Sequence, residues 1–450
     1  MTSRARLMGW AVALCVAPLL ASACALPASV VLTLPTGYYI AGAAATVAVT
    51  AAIGAVVPRL PAMRAVTLWD RRAVLPETLT STLSFLIWVG LIGLGFLGAR
   101  DPMHNLLTLA VWTGLWVALP LASLVCGDLW RAMNPWTGPI RLIRAAFGIS
   151  SKVPLHRLGH WPAVAGLFAF IWFTLVSLSP EDPAVLALVA TLYGLAILTL
   201  GVLAGEGWLR QGEFLTVYFG YLARIAPLWL DITGNRARLR AGWPGTQVLD
   251  MAPLTPSAIA FVTLALAGLT FDGLHVTYRW LDLIGQNPLE FTGRSAVQGV
   301  NTAGLLAVWA VTALAILGVI RLGAGLRAGP VVLSFLAIAA GYHAAHHLVT
   351  LLSTGQYTLA ALNDPLFRGD ALLGLEPFFV SMGFLTDQSA MTGIWNAQFA
   401  AILGAHLLAV VLAFRLAGPG VRALAHLPLT ALMVGYTVLG LWLLSSPTGA

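Results

Sequence analysis

Apolar stretches of about 20 residues recur along the chain, separated by shorter segments that hold most of the polar residues. A helix that crosses a hydrocarbon layer of about 30 Å needs about 20 residues, each rising 1.5 Å. The pattern therefore predicts an all-α, polytopic integral membrane bundle with ten transmembrane helices. The predicted spans are 37–58, 79–99, 105–126, 161–178, 184–205, 257–280, 300–322, 329–353, 394–415 and 427–446.

The first residues differ from these spans. A basic start, an apolar core and small residues follow one another in MTSRARLMGWAVALCVAPLLASACA, which is typical of a signal peptide. We expect residues 1–25 to form a signal peptide or signal-anchor helix. Residues 26–450 then form a single transmembrane helical domain.

Basic residues are unequally divided between alternating loops. Twenty of the 24 Lys and Arg residues fall on one side of the predicted bundle. That side holds the N-terminus and segments 59–78, 127–160, 206–256, 323–328 and 416–426. Because basic loops stay in the cytoplasm, we expect a multi-pass protein of the bacterial cytoplasmic membrane, with its N-terminus inside before any cleavage and its C-terminus outside.

The segment 213–230 is also apolar, but Arg224 and Pro227 interrupt it. A full span there would invert every later loop. We therefore expect an interfacial or re-entrant helix on the cytoplasmic side.

Composition agrees with this topology. The chain is 59% hydrophobic and only 9% charged, as integral membrane proteins are. The net charge of +7 lies in the cytoplasmic loops, so we expect no nucleic-acid partner; the expected partners are membrane lipid and a small apolar substrate. The three cysteines show no paired spacing, which argues against a disulfide framework or a CxxC metal site.

Ionisable residues inside spans mark candidate functional positions, because a charged side chain at the centre of a membrane helix costs about 2.5–3.5 kcal/mol. They are Asp272, His275, His343, His346, His347 and His406. Positions 343 and 347 share one helix face, with 346 on its edge. The predicted topology puts the residues of 272–275 and 343–347 in the outer half of the bilayer, and His406 nearer the middle.

Three interpretations of these residues compete. In the first, His343, His347, His406 and Asp272 bind a divalent metal such as Zn, Fe or Cu, with His346 or His275 as alternate ligands, and Asp272 and His346 act in catalysis. In the second, one histidine of 343–347 and His406 ligate haem b, or the same histidines bind copper or iron, in a membrane redox or metal-handling protein. In the third, they only join helices in a non-catalytic membrane subunit.

A second polar cluster lies at the end of the 105–126 span, in the sequence CGDLWRAMNPW. Asp128 and Arg131 are spaced to pair, and Asn134 precedes a proline. We interpret this cluster as a structural helix terminus on the side of the membrane opposite the histidines.

Several stretches together resemble the bacterial membrane proteins known as fenitrothion hydrolases. They are GDLWRAMNPW (127–136), FGYLARIAPL (219–228), FDGL (271–274), GYHAAHHLVT (341–350), NDPLFRG (363–369), AQFAAILGAHLLAVVLA (397–413) and LPLTALMVGYTVLGLWLLS (427–445). The resemblance covers nearly the whole chain after the signal segment.

This resemblance implies an integral membrane hydrolase of organophosphate triesters. The positions that match are Asp272, His343, His346 or His347, and His406. The chain departs from the family after the signal segment, where ACALPASV lacks the histidine expected there. The candidate metal ligands and the resemblance together favour a metal-dependent hydrolase as the function.

Overall fold

The computed structural model describes residues 36–57, 62–72, 75–233, 236–290, 293–376, 380–418 and 420–448. The predicted signal segment lies outside the described residues. The described chain is mainly helical, as predicted. The helices of six or more residues are α1 (Thr36–Val56), α2 (Glu77–Leu97), α3 (Leu106–Cys126), α4 (Thr137–Ala146), α5 (Trp161–Leu175), α6 (Pro183–Ala204), α7 (Phe214–Leu222), α8 (Pro256–Leu274), α9 (Tyr278–Leu283), α10 (Arg294–Leu322), α11 (Phe335–Asn363), α12 (Gln388–Ala417) and α13 (Leu427–Ser445).

Nine helices in the described part of the chain are long and apolar enough to cross a membrane. They coincide with nine of the ten predicted spans, so the protein is a multi-pass helical membrane protein. The tenth predicted span, 161–178, is the 15-residue helix α5. Its first turn lies against the start of α8, where the His160 amide donates to Ser257 Oγ at 3.1 Å. Its last turn lies against the start of α10, where Arg294 donates to the Thr174 carbonyl at 3.0 Å.

The predicted span 257–280 is too long at its end. Helix α8 stops at Leu274, where His275 Nδ1 donates to the carbonyl oxygens of Phe271 (3.0 Å) and Asp272 (2.9 Å). Thr277 then caps α9 by accepting from the Trp280 amide at 3.2 Å. The side chains of His275 and Thr277 thus satisfy backbone groups that the break between the helices would leave unpaired.

A small sheet was not predicted. Its three antiparallel strands are β1 (Ala65–Arg72), β2 (Leu228–Thr233) and β3 (Arg236–Gly242). They lie side by side in the order β1-β3-β2. Asp70 lies between two arginines of β3, with Arg236 Nε at 3.2 Å and Arg238 Nε at 3.0 Å. We call the end of the bundle that carries this sheet the sheet end, and the other end the far end.

The sheet also fixes how often the chain crosses the bundle. Strand β1 precedes α2 and strand β2 follows α7, and both lie at the sheet end. An even number of crossings must therefore separate them. Helices α2, α3, α5 and α6 supply four crossings. Helix α7 adds none, because the chain enters and leaves it at the sheet end.

Helix α7 is only nine residues long, but most of it is buried in the bundle. Glu213 caps it by accepting from the amides of Leu215 (2.9 Å) and Thr216 (2.7 Å), and it also accepts from the Tyr193 hydroxyl. Of the two predicted forms for this segment, the re-entrant one therefore describes it better than the interfacial one.

Helices α8 and α11 form the centre of the bundle and are the most buried of its long helices. Helix α12 packs closely against α11 at Gly341. A Cβ atom built on Gly341 would lie 2.2 Å from the Ala405 Cβ and 2.7 Å from the Ala401 carbonyl oxygen. Only glycine allows the two backbones to approach this far.

Candidate metal centre

Asp272 lies two residues before the end of α8. It follows the first residue of that helix by 16 positions, which places it about 24 Å along the axis from the sheet end. Because the hydrocarbon layer is about 30 Å thick, the carboxylate belongs to the far half of the bundle. Its side chain is 24% exposed.

The three histidines of α11 point toward the same region. His343 is fully buried and His347 is 7% exposed. Their ring centroids lie 4.5 Å apart, as expected for positions one turn apart. The ring of His346 lies 5.0 Å from that of His347. The predicted shared face is therefore formed.

Asp272 and His346 meet across the interface between α8 and α11. The distance from Asp272 Oδ2 to His346 Nε2 is 3.1 Å. One ligand atom each of Asp272, His346 and His347 lies within 4.8 Å of the others. This is the group in the described residues whose donors converge as metal ligands would, and we call it the Asp–His cluster.

Aromatic side chains enclose His343. Its Nδ1 lies 3.0 Å from the Tyr218 hydroxyl of α7, and its ring contacts Trp116 edge-on at 5.5 Å between centroids. Trp116 in turn stacks on Tyr218 at 5.0 Å. It comes from Ala110–Ala118, the π-helical middle of α3. Such π-helical segments are frequent at functional sites.

Neither Tyr218 nor Trp116 was among the predicted site residues. A hydroxyl in the otherwise apolar stretch EFLTVYFGYL was the available signal for Tyr218, because a buried hydroxyl needs a partner. Nothing in the sequence of α3 marks Trp116.

Some buried polar atoms at this site have no hydrogen-bond partner. Within the described residues, His343 Nε2 and His347 Nε2 are buried without a hydrogen bond, and so is the Tyr342 hydroxyl. The Tyr342 ring stacks on His346 at 5.6 Å. Buried polar atoms are satisfied in most proteins, so several unpaired ones side by side indicate a site built for a ligand.

A small cavity of about 20 Å³ adjoins Asp272. Trp116, Tyr218 and Thr174 contribute to its lining, together with apolar side chains of α5 and α8. A cavity of this size has room for about one water molecule, and Asp272, Tyr218 and Thr174 are the polar side chains that could hold it.

His406 and His275 were predicted as a ligand and an alternate ligand. The structure does not bring His406 into the Asp–His cluster; its Nδ1 donates to the Ile402 carbonyl of its own helix at 2.8 Å. His275 lies next to Asp272 in the chain, but its Nδ1 is used to end α8.

The second polar cluster lies at the sheet end, as expected. Asp128 Oδ1 accepts from the Arg131 amide at 3.0 Å, while the Arg131 guanidinium lies 3.9 Å from Glu77. Asn134 accepts from the Trp136 amide at 2.8 Å and donates to Thr216 at 2.9 Å. These contacts form the helix terminus that the sequence predicted.

Fold and site together define a polytopic helical membrane protein with a carboxylate–histidine cluster at the interface of two central helices, and of that cluster only His347 is buried. Comparison with protein-family models, with curated proteins and with solved structures found no match to this chain. Its function must be argued from the cluster itself and from the motifs quoted above.

Proposed function

We propose that the protein is an integral membrane, metal-dependent hydrolase that acts on organophosphate triesters through the Asp–His cluster. The observation that carries this proposal is the convergence of ligand atoms from Asp272, His346 and His347 within 4.8 Å, inside a membrane bundle. The resemblance to fenitrothion hydrolases supplies the substrate class.

The donor set fits a borderline transition metal. Two imidazoles and one carboxylate suit Zn, Fe or Cu, and three protein ligands leave a coordination position open for chemistry. Ligand atoms around a tetrahedral zinc lie about 3.4 Å apart, close to the 3.1 Å between Asp272 Oδ2 and His346 Nε2. His343, predicted as a ligand, lies outside this converging group, and its ring contact with His347 suits it to hold His347 in position.

Hydrolysis of a triester needs a water oxygen to attack phosphorus while the bond to the aryloxide leaving group breaks. A bound metal supplies Lewis-acid polarisation of the phosphoryl oxygen. The cavity beside Asp272 has room for a water within reach of a carboxylate that can accept its proton. The aryloxide departs as an anion, so the proton stays on the Asp272 carboxylate until it is released to solvent.

We also propose that the sheet end faces the cytoplasm of a bacterium. The excess of basic residues in the loops of that end supports this orientation. The Asp–His cluster then lies in the outer half of the membrane, where an apolar triester dissolved in lipid can reach it, and the C-terminus lies outside.

The test is metal analysis combined with turnover of a nitrophenyl phosphotriester by the purified full chain. We expect about one transition metal per chain, and metal and turnover lost together in Asp272→Asn and His347→Ala, because removing one of three ligands leaves too few. His406→Ala is the matched control: it removes another buried histidine, but one outside the Asp–His cluster, and should keep the metal.

Three results would contradict this proposal. A chain without metal that still folds would refute the metal site, and a Soret band in the optical spectrum would favour the haem b alternative. Stoichiometric metal without phosphotriester turnover would instead favour a metal-handling or redox protein.

A further inference from the structure

A large cavity lies at the sheet end, remote from the Asp–His cluster. Its volume is about 670 Å³, within the range of small-molecule binding sites. The two stretches that line much of it are GDLWRAMNPW and the segment from α7 to Arg224, and the residues of both that face this cavity take no part in the proposed hydrolysis.

Cationic side chains predominate in this cavity. Five of them line it: Arg131, Arg141, Lys152, Arg210 and Arg224. Only three carboxylates accompany them: Glu77, Asp128 and Glu206. The wall therefore carries an excess of positive charge in a recess that is partly shielded from water.

The ion pairs in this cavity are unevenly distributed among the cations. Arg141 takes up two of them, with Nη2 at 3.0 Å from Glu77 and Nε at 3.4 Å from Glu206. In the described part of the chain, Lys152, Arg210 and Arg224 have no carboxylate oxygen within 4.0 Å. These three cations are the part of the wall that makes no direct ion pair, although the charges of Lys152 and Arg224 still act on Glu206 and Asp128.

The electrostatics of Glu206 agree with this excess. Burial raises the pKa of its carboxyl, but hydrogen bonds from its own backbone amide and from Arg141, together with the charges of Arg141 and Lys152, bring the pKa below its usual value. The cations therefore favour the charged form of Glu206, whereas burial raises the pKa of Asp128 in the same wall despite Arg131 and Arg224.

We propose that the sheet-end cavity binds the phosphate group of an anionic ligand. Arginine is the side chain best matched to phosphate, because its planar guanidinium donates two parallel hydrogen bonds, and lysine adds a point charge. The excess of two positive charges, five cations against three carboxylates, suits a group with two negative charges. Trp130 and Tyr221 in the same wall can contact an apolar or ring portion of the ligand.

The test uses the purified full chain in a neutral detergent, with inorganic phosphate as the probe. We expect phosphate to raise the thermal unfolding midpoint more than sodium chloride of equal ionic strength does, because bound ligand stabilises the folded state. The variants Arg224→Gln and Arg210→Gln should each weaken phosphate binding roughly tenfold or more, as loss of a charge-assisted hydrogen bond does.

Arg321→Gln is the matched control. Arg321 is an exposed arginine at the sheet end that does not line the cavity, so its loss should leave phosphate binding unchanged. Equal effects of phosphate and chloride would overturn the proposal, and so would equal weakening by Arg321→Gln and Arg224→Gln. Arg210 makes no ion pair among the described residues, so Arg210→Gln should keep its unfolding midpoint without phosphate and remain informative if Arg224→Gln does not fold.

The phosphate can belong to a lipid headgroup or to a soluble ester. Nanodiscs of phosphatidylcholine and of phosphatidylglycerol distinguish these sources. If the stabilisation by inorganic phosphate persists in both, the cavity takes a soluble ligand. If it disappears only in phosphatidylglycerol, in a manner that Arg224→Gln abolishes, the anionic headgroup occupies the cavity.

Discussion

The close approach of α11 and α12 at Gly341 offers the sharpest test of the bundle, through the substitution Gly341→Ala. The new Cβ would lie 2.2 Å from the Ala405 Cβ and 2.7 Å from the Ala401 carbonyl oxygen, whereas ordinary Cβ contacts begin at about 3.4 Å. The obstacle is backbone and a methyl group, neither of which can rotate away. The two helices must therefore separate by about 1 Å.

Overpacking of this kind costs about 1–3 kcal/mol. Gly355→Ala on the same helix is the matched control, because its Cβ would meet only Leu351 Cδ1, at 3.9 Å. There the higher helix propensity of alanine should stabilise the protein by about 0.5–1 kcal/mol. Because the gain in helix propensity is common to both substitutions, the two variants should differ by the overpacking cost alone, about 1–3 kcal/mol, with Gly341→Ala the less stable.

The assay is reversible unfolding in mixed micelles with a rising fraction of SDS, followed by tryptophan fluorescence. Adding Ala405→Gly to Gly341→Ala should recover part of the loss, since it removes the 2.2 Å contact but leaves the 2.7 Å contact with Ala401. If Gly341→Ala proves as harmless as Gly355→Ala, the helices do not approach as described and the argument fails.

Two further predictions concern a buried amide and a titrating carboxylate. Gln398 Nε2 donates to the Ala345 carbonyl at 2.8 Å across the interface of α12 with α11. Gln398→Leu should lower the free energy of unfolding in the same micelle assay by about 0.6–1.7 kcal/mol, and a more stable variant would contradict a net contribution from this bond. Because the pKa of Glu206 is lowered, its stabilisation is complete above its ordinary value of 4.5 and is lost as the pH falls through the lowered value. Glu206→Gln should therefore lower the unfolding midpoint near neutral pH but have a shrinking effect toward about pH 3; an effect that does not change with pH would contradict its ion pair with Arg141.

Helix positions were predictable because hydrocarbon requires long apolar runs, and apolar runs are visible in any sequence. The end of α8 was not, since it depends on the side chains of His275 and Thr277 bonding to nearby backbone. The sheet was missed for another reason. Its strands are short, and β1 pairs with a strand about 170 residues later, a distance over which local alternation carries no information.

The Asp–His cluster was predictable in part. Helical spacing was enough to place His343 and His347 on one face, and the chain direction put Asp272 at a similar depth. The sequence did not predict how each helix is rotated about its axis, because in a membrane both the lipid-facing side and the inner side of a helix are apolar. His406 was therefore assigned to the ligand set without a means of testing which way it faces. Trp116 was missed since i→i+5 bonding in α3 shifts the direction of later side chains.

The first described helix has a consequence for how the protein is made. On α1, Tyr39 donates to Asn396 Oδ1 at 3.2 Å and packs edge-on against Phe399 at 5.1 Å, so its partners on α12 lie about 357 residues later. At about 5–20 residues per second, a ribosome needs about 20 to 70 s to synthesise that interval. Helix α1 must therefore wait in the membrane while nearly all the other helices are inserted, and the bundle closes only when the end of the chain arrives.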